Sequence, residues 1–549
     1  MNKRTAAIAA IIALSFLLGA FTGPKLLEKI TRSQAADAAA VIGLEMTDAE
    51  IDSLLPDLES ARQDYLSNRE IPLPNEVVPA LLFNPLPPGF EIERRQSAVK
   101  FSDPKGVKMP KNREELAFYT VRELAELIQT RQITSVELTQ FFLERLKKHD
   151  PTLHCVITLT EELALEQARR ADAEIAQGRY RGPLHGIPYG AKDLLATRRY
   201  KTTWGAMPYK DQRFDYDAAV IEKLDEAGAV LTAKLTLGAL AWGDVWYGEK
   251  TRNPWDPESG SSGSSAGSAS AVAAGLLPFA IGTETLGSIV SPSTVCGTTG
   301  LRPTFGRVSR YGAMALSWTM DKIGPITRSV EDAAIVFQAI QGQDERDPFT
   351  FDAAFNYNDE MEPKFLRIGY VKSDFDRQYP FKSQDSLTLA TLKKLGYYLI
   401  PIELPEMPEL GMILSAEAAA AFDELTRSGQ DDQLVRQIRR AWPNTFRAAR
   451  FIPAVEYIQA NRLRTQLIAE MDKIFKQVDI YVHPSWASSS LSITNHTGHP
   501  AVVLPNGFRN GRPTSITFTG SLFGEAELLR FVKEYQDATD FHRQHPELY

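Results

Sequence analysis

Cysteine is almost absent, with two residues, Cys155 and Cys296, in a chain of 549. Two thiols exclude a disulfide framework and a thiolate zinc site, and both are expected to be buried and free. Histidine is scarce as well, at 8 residues, so the imidazole base common in serine hydrolases has few candidates. No run of Lys and Arg is long enough to track a phosphate backbone, and the net charge is −8. Nucleic acid is therefore not an expected partner. The glycine-serine stretch near residue 260 lacks the lysine of a nucleotide loop, because Gly267 is followed by Ser268 and Ala269. No cofactor or metal is expected, and no short internal repeat is visible.

What is present is a chain that can bury a large core, with 43% hydrophobic residues. It opens with "MNKRTAAIAAIIALSFLLGAFTG", in which Lys3 and Arg4 precede an apolar run from Ala6 to Ala20. That order matches the charged and apolar regions of a secretory signal over residues 1–23, implying a periplasmic or secreted protein. No clean A-x-A cleavage site follows Gly19, so an uncleaved membrane anchor is the alternative; membrane contact is expected only if this segment is retained.

Residues 24–112 read as one amphipathic helix, "TDAEIDSLLPDLESARQDYL", followed by the proline-rich extended segment "IPLPNEVVPALLFNPLPPGF". The rest, 113–549, reads as one catalytic domain. "TVRELAELIQTRQITSVELTQFFLERLKKHD" gives two helices with Thr134-Ser135 as a cap before Val136. A longer helix, a Gly/Pro turn and the strand-like "GIPYGAKD" follow, with Lys192 near the strand's end. "AAVIEKLDEAGAVLTAKLTL" then reads helix, stop at Gly228, strand, and the alternation recurs through "FLRIGYVKSDF" and "DIYVHPSW". The class is α/β.

The stretch "SGSSGSSAGSASAVAAG" has the composition of a flexible linker, yet it flows into an Ala-rich helix. It reads better as a backbone nest at a helix N-terminus. Downstream, "GTETLGSIVSPSTVCGTTGLRP" sets Ser288 in a tight turn of small residues.

Four segments, "GPLHGIPYGAKD", "GSSAGSASAVAAG", "GTETLGSIVSPSTVCGTTGLRPTFGRVSRYG" and "DKIGPITRSVEDAA", together resemble the amidase signature family of serine hydrolases. A fifth, "GHPAVVLPNGFRNGRP", is similar to the family's C-terminal strand and loop. The likeness runs from about Thr120 to Tyr535 and is thin over 340–480. It implies a large mixed β-sheet covered by helices on both faces and a Ser-cisSer-Lys triad. Carried over by position, the nucleophile is Ser288, the bridging serine after a cis peptide is Ser264, and the base is Lys192.

The chemistry of such a triad is self-consistent. A serine hydroxyl needs a neighbour to take its proton, and a lysine serves only when neutral, which burial favours. The competing reading of Lys192 is a surface residue paired with Asp193. A second hydroxyl at Ser264 relays the proton between amine and nucleophile, and Ser265 is the neighbour expected to hold the loop. Backbone N–H groups of Thr285, Leu286, Gly287 and Ser288 are the candidate oxyanion hole. His185 is expected to be a structural turn partner. Trp204, Trp242, Trp246, Tyr247 and Trp318 are expected in the core, with an aryl-binding pocket as the alternative.

Departures from the family pattern bear on substrate range. Leu286-Gly287 stands where relatives show Gly-Gly, Val290 stands where they carry Arg, and Ala266 replaces a glycine. Leu286 is expected to narrow or re-aim the acyl pocket, and Val290 to leave Glu284 without its cation. The implied activity is hydrolysis of a small-molecule or peptide amide. The alternatives are an esterase on the same triad, an inactive peptide-binding relative and one component of a tRNA-dependent amidotransferase, the last disfavoured by the secretory N-terminus.

Overall fold

The computed structural model describes residues 29–104 and 106–548, so the signal or anchor reading of residues 1–23 lies outside the described residues. Among the described residues, no helix is long and apolar enough to cross a membrane. The chain divides into two compact units, Met1–Pro74 and Asn75–Tyr549.

Among the described residues, the first unit holds two helices where one was expected. Thr31 caps Arg32–Val41 and Thr47 caps Asp48–Asn68, each in a reciprocal capping box with Gln34 and Glu50 respectively. The shorter helix was hidden because its alanine-rich sequence carries almost no apolar stripe, leaving the cap as its only signal.

The second unit is built on an eleven-stranded sheet. Its strands and those of a small ribbon are β1 (Val156–Leu159), β2 (Pro188–Lys192), β3 (Val230–Leu235), β4 (Arg252–Asn253), β5 (Asp256–Gly260), β6 (Phe279–Glu284), β7 (Thr299–Arg302), β8 (Lys322–Thr327), β9 (Ile368–Val371), β10 (Leu399–Ile402), β11 (Ile480–Pro484), β12 (Ala501–Arg509) and β13 (Arg512–Gly520). The sheet order is β1-β3-β2-β6-β8-β7-β12-β13-β11-β9-β10, and β4 and β5 form the ribbon. Parallel pairs β2/β3, β2/β6, β9/β10 and β9/β11 mix with antiparallel ones, which makes this the large mixed sheet that the sequence implied.

Both faces of the central strands are buried. Along β6, Phe279 and Ile281 enter one hydrophobic cluster while Ala280 enters another on the opposite face. Such strands read as continuous apolar runs because helices cover both sides of the sheet. Before the sheet, residues 93–100 run extended beside 354–359, with Ala354 N donating to Glu93 O and Lys100 N to Tyr357 O.

Candidate active site

Register builds the site. Strands β2 and β6 are parallel neighbours with Ala191 opposite Ile281, so Lys192 and Thr283 lie at the C-terminal ends of adjacent strands. The helix Ala266–Ala273 begins there too, and the loop before it delivers Ser264 and Ser265. Lys192 Nζ lies 2.8 Å from Ser264 Oγ, 3.1 Å from Ser265 Oγ and 2.9 Å from Thr283 Oγ1. The peptide between Gly263 and Ser264 is cis.

Lys192 is fully buried. Burial is the dominant influence on its amine and lowers it to about 7, against the pull of Asp321 and Glu284. The surface-residue reading fails, and Asp193 has another partner. Its carboxylate pairs with Lys234 at 2.8 Å, both side chains being fully buried, and accepts Thr203 Oγ1 at 2.6 Å.

Ser265 holds the loop, as expected. Its hydroxyl accepts Thr283 N–H at 3.1 Å and donates to Thr283 O at 3.1 Å. Its backbone N–H donates to Ser288 O at 3.1 Å, tying the two serine-bearing loops together. Ser288 is half-buried at the end of the turn that follows β6.

Glu284 shapes that turn from below. Its carboxylate accepts the N–H groups of Ile289 at 2.8 Å and Val290 at 2.9 Å, which bends 285–288 outward. Gly287 sits at φ +92°, a conformation that glycine adopts without penalty. The N–H groups of Thr285, Leu286, Gly287 and Ser288 have no acceptor among the described residues. Thr285 Oγ1 donates to Asp321 at 2.5 Å, and Asp321 also accepts Leu316 and Ser317 N–H. Leu286 projects outward at 38% exposure.

Glu284 has no cation at position 290, as expected, but another reaches it. Arg302 on β7 pairs with it at 3.0 Å, both fully buried, and Asn495 Nδ2 donates to it at 2.8 Å. Burial pushes this carboxyl up, but Arg302, the Val290 N–H and Asn495 bring it below its ordinary value. The cation comes from β7, which lies beyond β8 in the sheet, rather than from position 290, where Val290 is buried. Arg302 in turn donates to Thr494 Oγ1 and His499 O.

The histidines take no part in this cluster. His185 Nδ1 accepts Arg181 N–H at 3.1 Å in a turn, and burial lowers His496 to about 4 and His499 to about 3. Cys155 and Cys296 are buried and free. Trp204 is core, whereas Trp242, Trp246, Tyr247 and Trp318 are half-buried. Sequence reasoning missed Thr283, Asp321, Arg302 and Asn495. Asp321 opens the "DKIGP" segment and was within reach; Arg302 and Asn495 have no local signal, since each arrives from a distant element.

The amidase family model matches residues 137–529. The A-subunit of glutamyl-tRNA(Gln) amidotransferase from Coxiella burnetii (strain RSA 493 / Nine Mile phase I) is 33% identical over 479 residues, covering 78% of this chain and 99% of that protein. Its counterpart of the same name from Chloroflexus aurantiacus (strain ATCC 29366 / DSM 635 / J-10-fl) is 35% identical over 486 residues, covering 79% and 99%. Among solved structures, the native peptide amidase of Stenotrophomonas maltophilia superposes with a TM-score of 0.70 at 30% identity, covering 78% of this chain and 98% of that one. With this much of the chain matched, on a mixed eleven-stranded sheet, the protein belongs to the amidase signature family and is an amide-hydrolysing enzyme.

Proposed function

We propose that the enzyme cleaves a carboxylic amide C–N bond through an acyl-enzyme on Ser288, with Lys192 as base and Ser264 as proton relay. The observation that carries this reading is a fully buried amine, lowered to about 7, at 2.8 Å from the Ser264 hydroxyl. A neutral amine has two N–H donors and one lone pair. Donation to Ser265 and Thr283 leaves the lone pair for the Ser264 O–H, and Ser264 then accepts the proton of Ser288.

Attack forms the C–O bond and puts negative charge on the carbonyl oxygen, which the free N–H groups of the 286–288 turn stabilise. Collapse breaks the C–N bond, and the proton returns through Ser264 to the leaving nitrogen. Water then attacks the acyl-enzyme, giving its proton to the same relay and releasing the acid. Esters meet the same chemistry, and matched amide and ester kinetics rank the two.

The test is fluorophosphonate labelling together with mass-spectrometric turnover of an amide library that includes glutamine. Labelling and turnover that vanish in Ser288→Ala support the assignment; turnover surviving in that variant overturns it. Glutamine as the sole substrate would favour the amidotransferase reading, which the named relatives motivate. Export through residues 1–23 is a further part of the proposal, and cell fractionation finding the protein only in the cytoplasm would sink it.

A further inference from the structure

The turn at 238–243 holds strained backbone beside the proposed site. Leu240 and Ala241 both hold left-handed conformations, at φ 51° and 61°, and Gly243 follows at φ 68°. Non-glycine residues are disfavoured in that region and persist only where the surroundings enforce them. The enforcing contacts are Trp442 Nε1 donating to Leu240 O at 2.9 Å and Gly238 N–H donating to Gly243 O at 3.0 Å.

The turn packs against the residue before Ser264. A Cβ built on Gly263 would stand 1.9 Å from Gly243 O, so the Gly243 carbonyl packs flat against the residue that precedes Ser264. On the other side of Gly243 lies Arg436, its Nη1 3.1 Å from where a Gly243 Cβ would be and its guanidinium 4.7 Å from the centre of the Trp242 ring. One residue's width thus separates a half-buried guanidinium from the Gly263–Ser264 peptide.

That guanidinium is unpaired by any carboxylate among the described residues. It belongs to "LVRQIRR" (Leu434–Arg440), which carries three cations and no acid in a chain of net charge −8. The acids just upstream are already engaged, because Arg447 pairs with Asp431 at 2.6 Å and with Asp432 at 2.9 Å. A rigid fork of donors held over an aromatic ring is suited to bidentate recognition of a carboxylate.

Chemistry decides which half of the substrate carries that carboxylate. Under the proposed mechanism, on which this inference rests, Ser264 returns the proton to the departing nitrogen, so groups flanking Ser264 flank the amine half. We infer that Arg436, backed by Trp242, binds a carboxylate on the amine portion of the substrate. The substrate class is then N-acyl amino acids, cleaved to a carboxylic acid and an amino acid.

The experiment compares kcat/KM for acetyl, benzoyl and decanoyl amides of glycine with those of isobutylamine, which is close in size and uncharged. It is run on the full chain and on Arg436→Gln, Arg436→Lys and Ser288→Ala. The expected result is a preference for the glycine conjugates of at least about tenfold, lost in Arg436→Gln chiefly through KM and partly kept in Arg436→Lys. Equal rates for both series, a preference untouched by Arg436→Gln, or a preference for acids placed on the acyl side instead would each overturn the inference while leaving the mechanism standing. Turnover that persists in Ser288→Ala would overturn the mechanism and the inference with it.

Discussion

Lys192 owes its chemistry to where β2 ends. In water a lysine amine is protonated across the physiological range, but here burial lowers it to about 7. The acid limb of kcat/KM should therefore fall off near pH 7, and Lys192→Met should lose both that limb and about two to four orders of magnitude in rate. Stability carries the same signature. The unfolded chain has this group at its ordinary value of 10.5, so between about pH 7 and 10.5 the unfolded state binds the extra proton. Stability contributed at this position thus rises with pH across that window. Urea titrations at pH 7.5, 8.5 and 9.5 should show the wild type gaining about 1.4 kcal/mol per pH unit relative to Lys192→Met. A slope shared by both proteins would mean that the amine stays charged in the fold. At this scale motif order singled out Lys192, Ser264 and Ser288, but it could not choose between a buried Lys192 and one paired with Asp193. That choice depended on Lys234, a residue of the neighbouring strand that takes Asp193 for itself.

The turn after β6 is held by its neighbours more than by its own residues. Glu284 draws in two N–H groups from below, and Arg302 neutralises it from β7. Arg302→Leu strands a buried carboxylate, and thermal or urea unfolding should show a loss of about 3–5 kcal/mol. Pairing it with Glu284→Gln should recover part of that loss, since no unpaired charge then remains. A milder probe is Gly287→Ala. The new methyl would meet Ser291 Oγ at 3.2 Å on a backbone at φ +92°, displacing the N–H groups proposed to stabilise the carbonyl oxygen. Turnover should fall by about 10²-fold or more, with the melting temperature moving by only a few degrees. Elements in this region were legible because alternating helix and strand patterns are local. The Glu284 partnership was not, because it joins elements that the sequence separates, and the family pattern pointed to position 290 instead. The loop carrying Arg436 escaped for a related reason: it lies in the stretch over 340–480 where the motifs thin out, and its place beside Gly243 comes from a distant element, whose Trp442 also docks on Leu240.

Across the whole molecule, every contact described for the site is made within Asn75–Tyr549. The cut between the units has a physical marker at its first residue. Asn75 Oδ1 accepts Ala315 N–H at 2.7 Å and its Nδ2 donates to Ala315 O at 3.0 Å, bracing the loop whose next residues, Leu316 and Ser317, bind Asp321. Further on, residues 93–100 pair with 354–359 and so belong to the catalytic unit, although composition alone grouped 24–112 together. Two truncations separate these boundaries. Removing residues 1–74 should keep fluorophosphonate labelling of Ser288 and hold kcat/KM within about threefold, because the sheet and the relay keep all their described partners. Removing residues 1–112 strips Asn75 and the 93–100 segment, leaving the Ala315 and Glu93-facing backbone groups without their partners, at about 1–3 kcal/mol for each one buried. That shorter protein should melt at least several degrees lower and label more slowly, as Asp321 loses the braced loop that positions Thr285. Equal behaviour of the two truncations would place the working boundary of the catalytic unit at 112 and remove Asn75 from the support of the site.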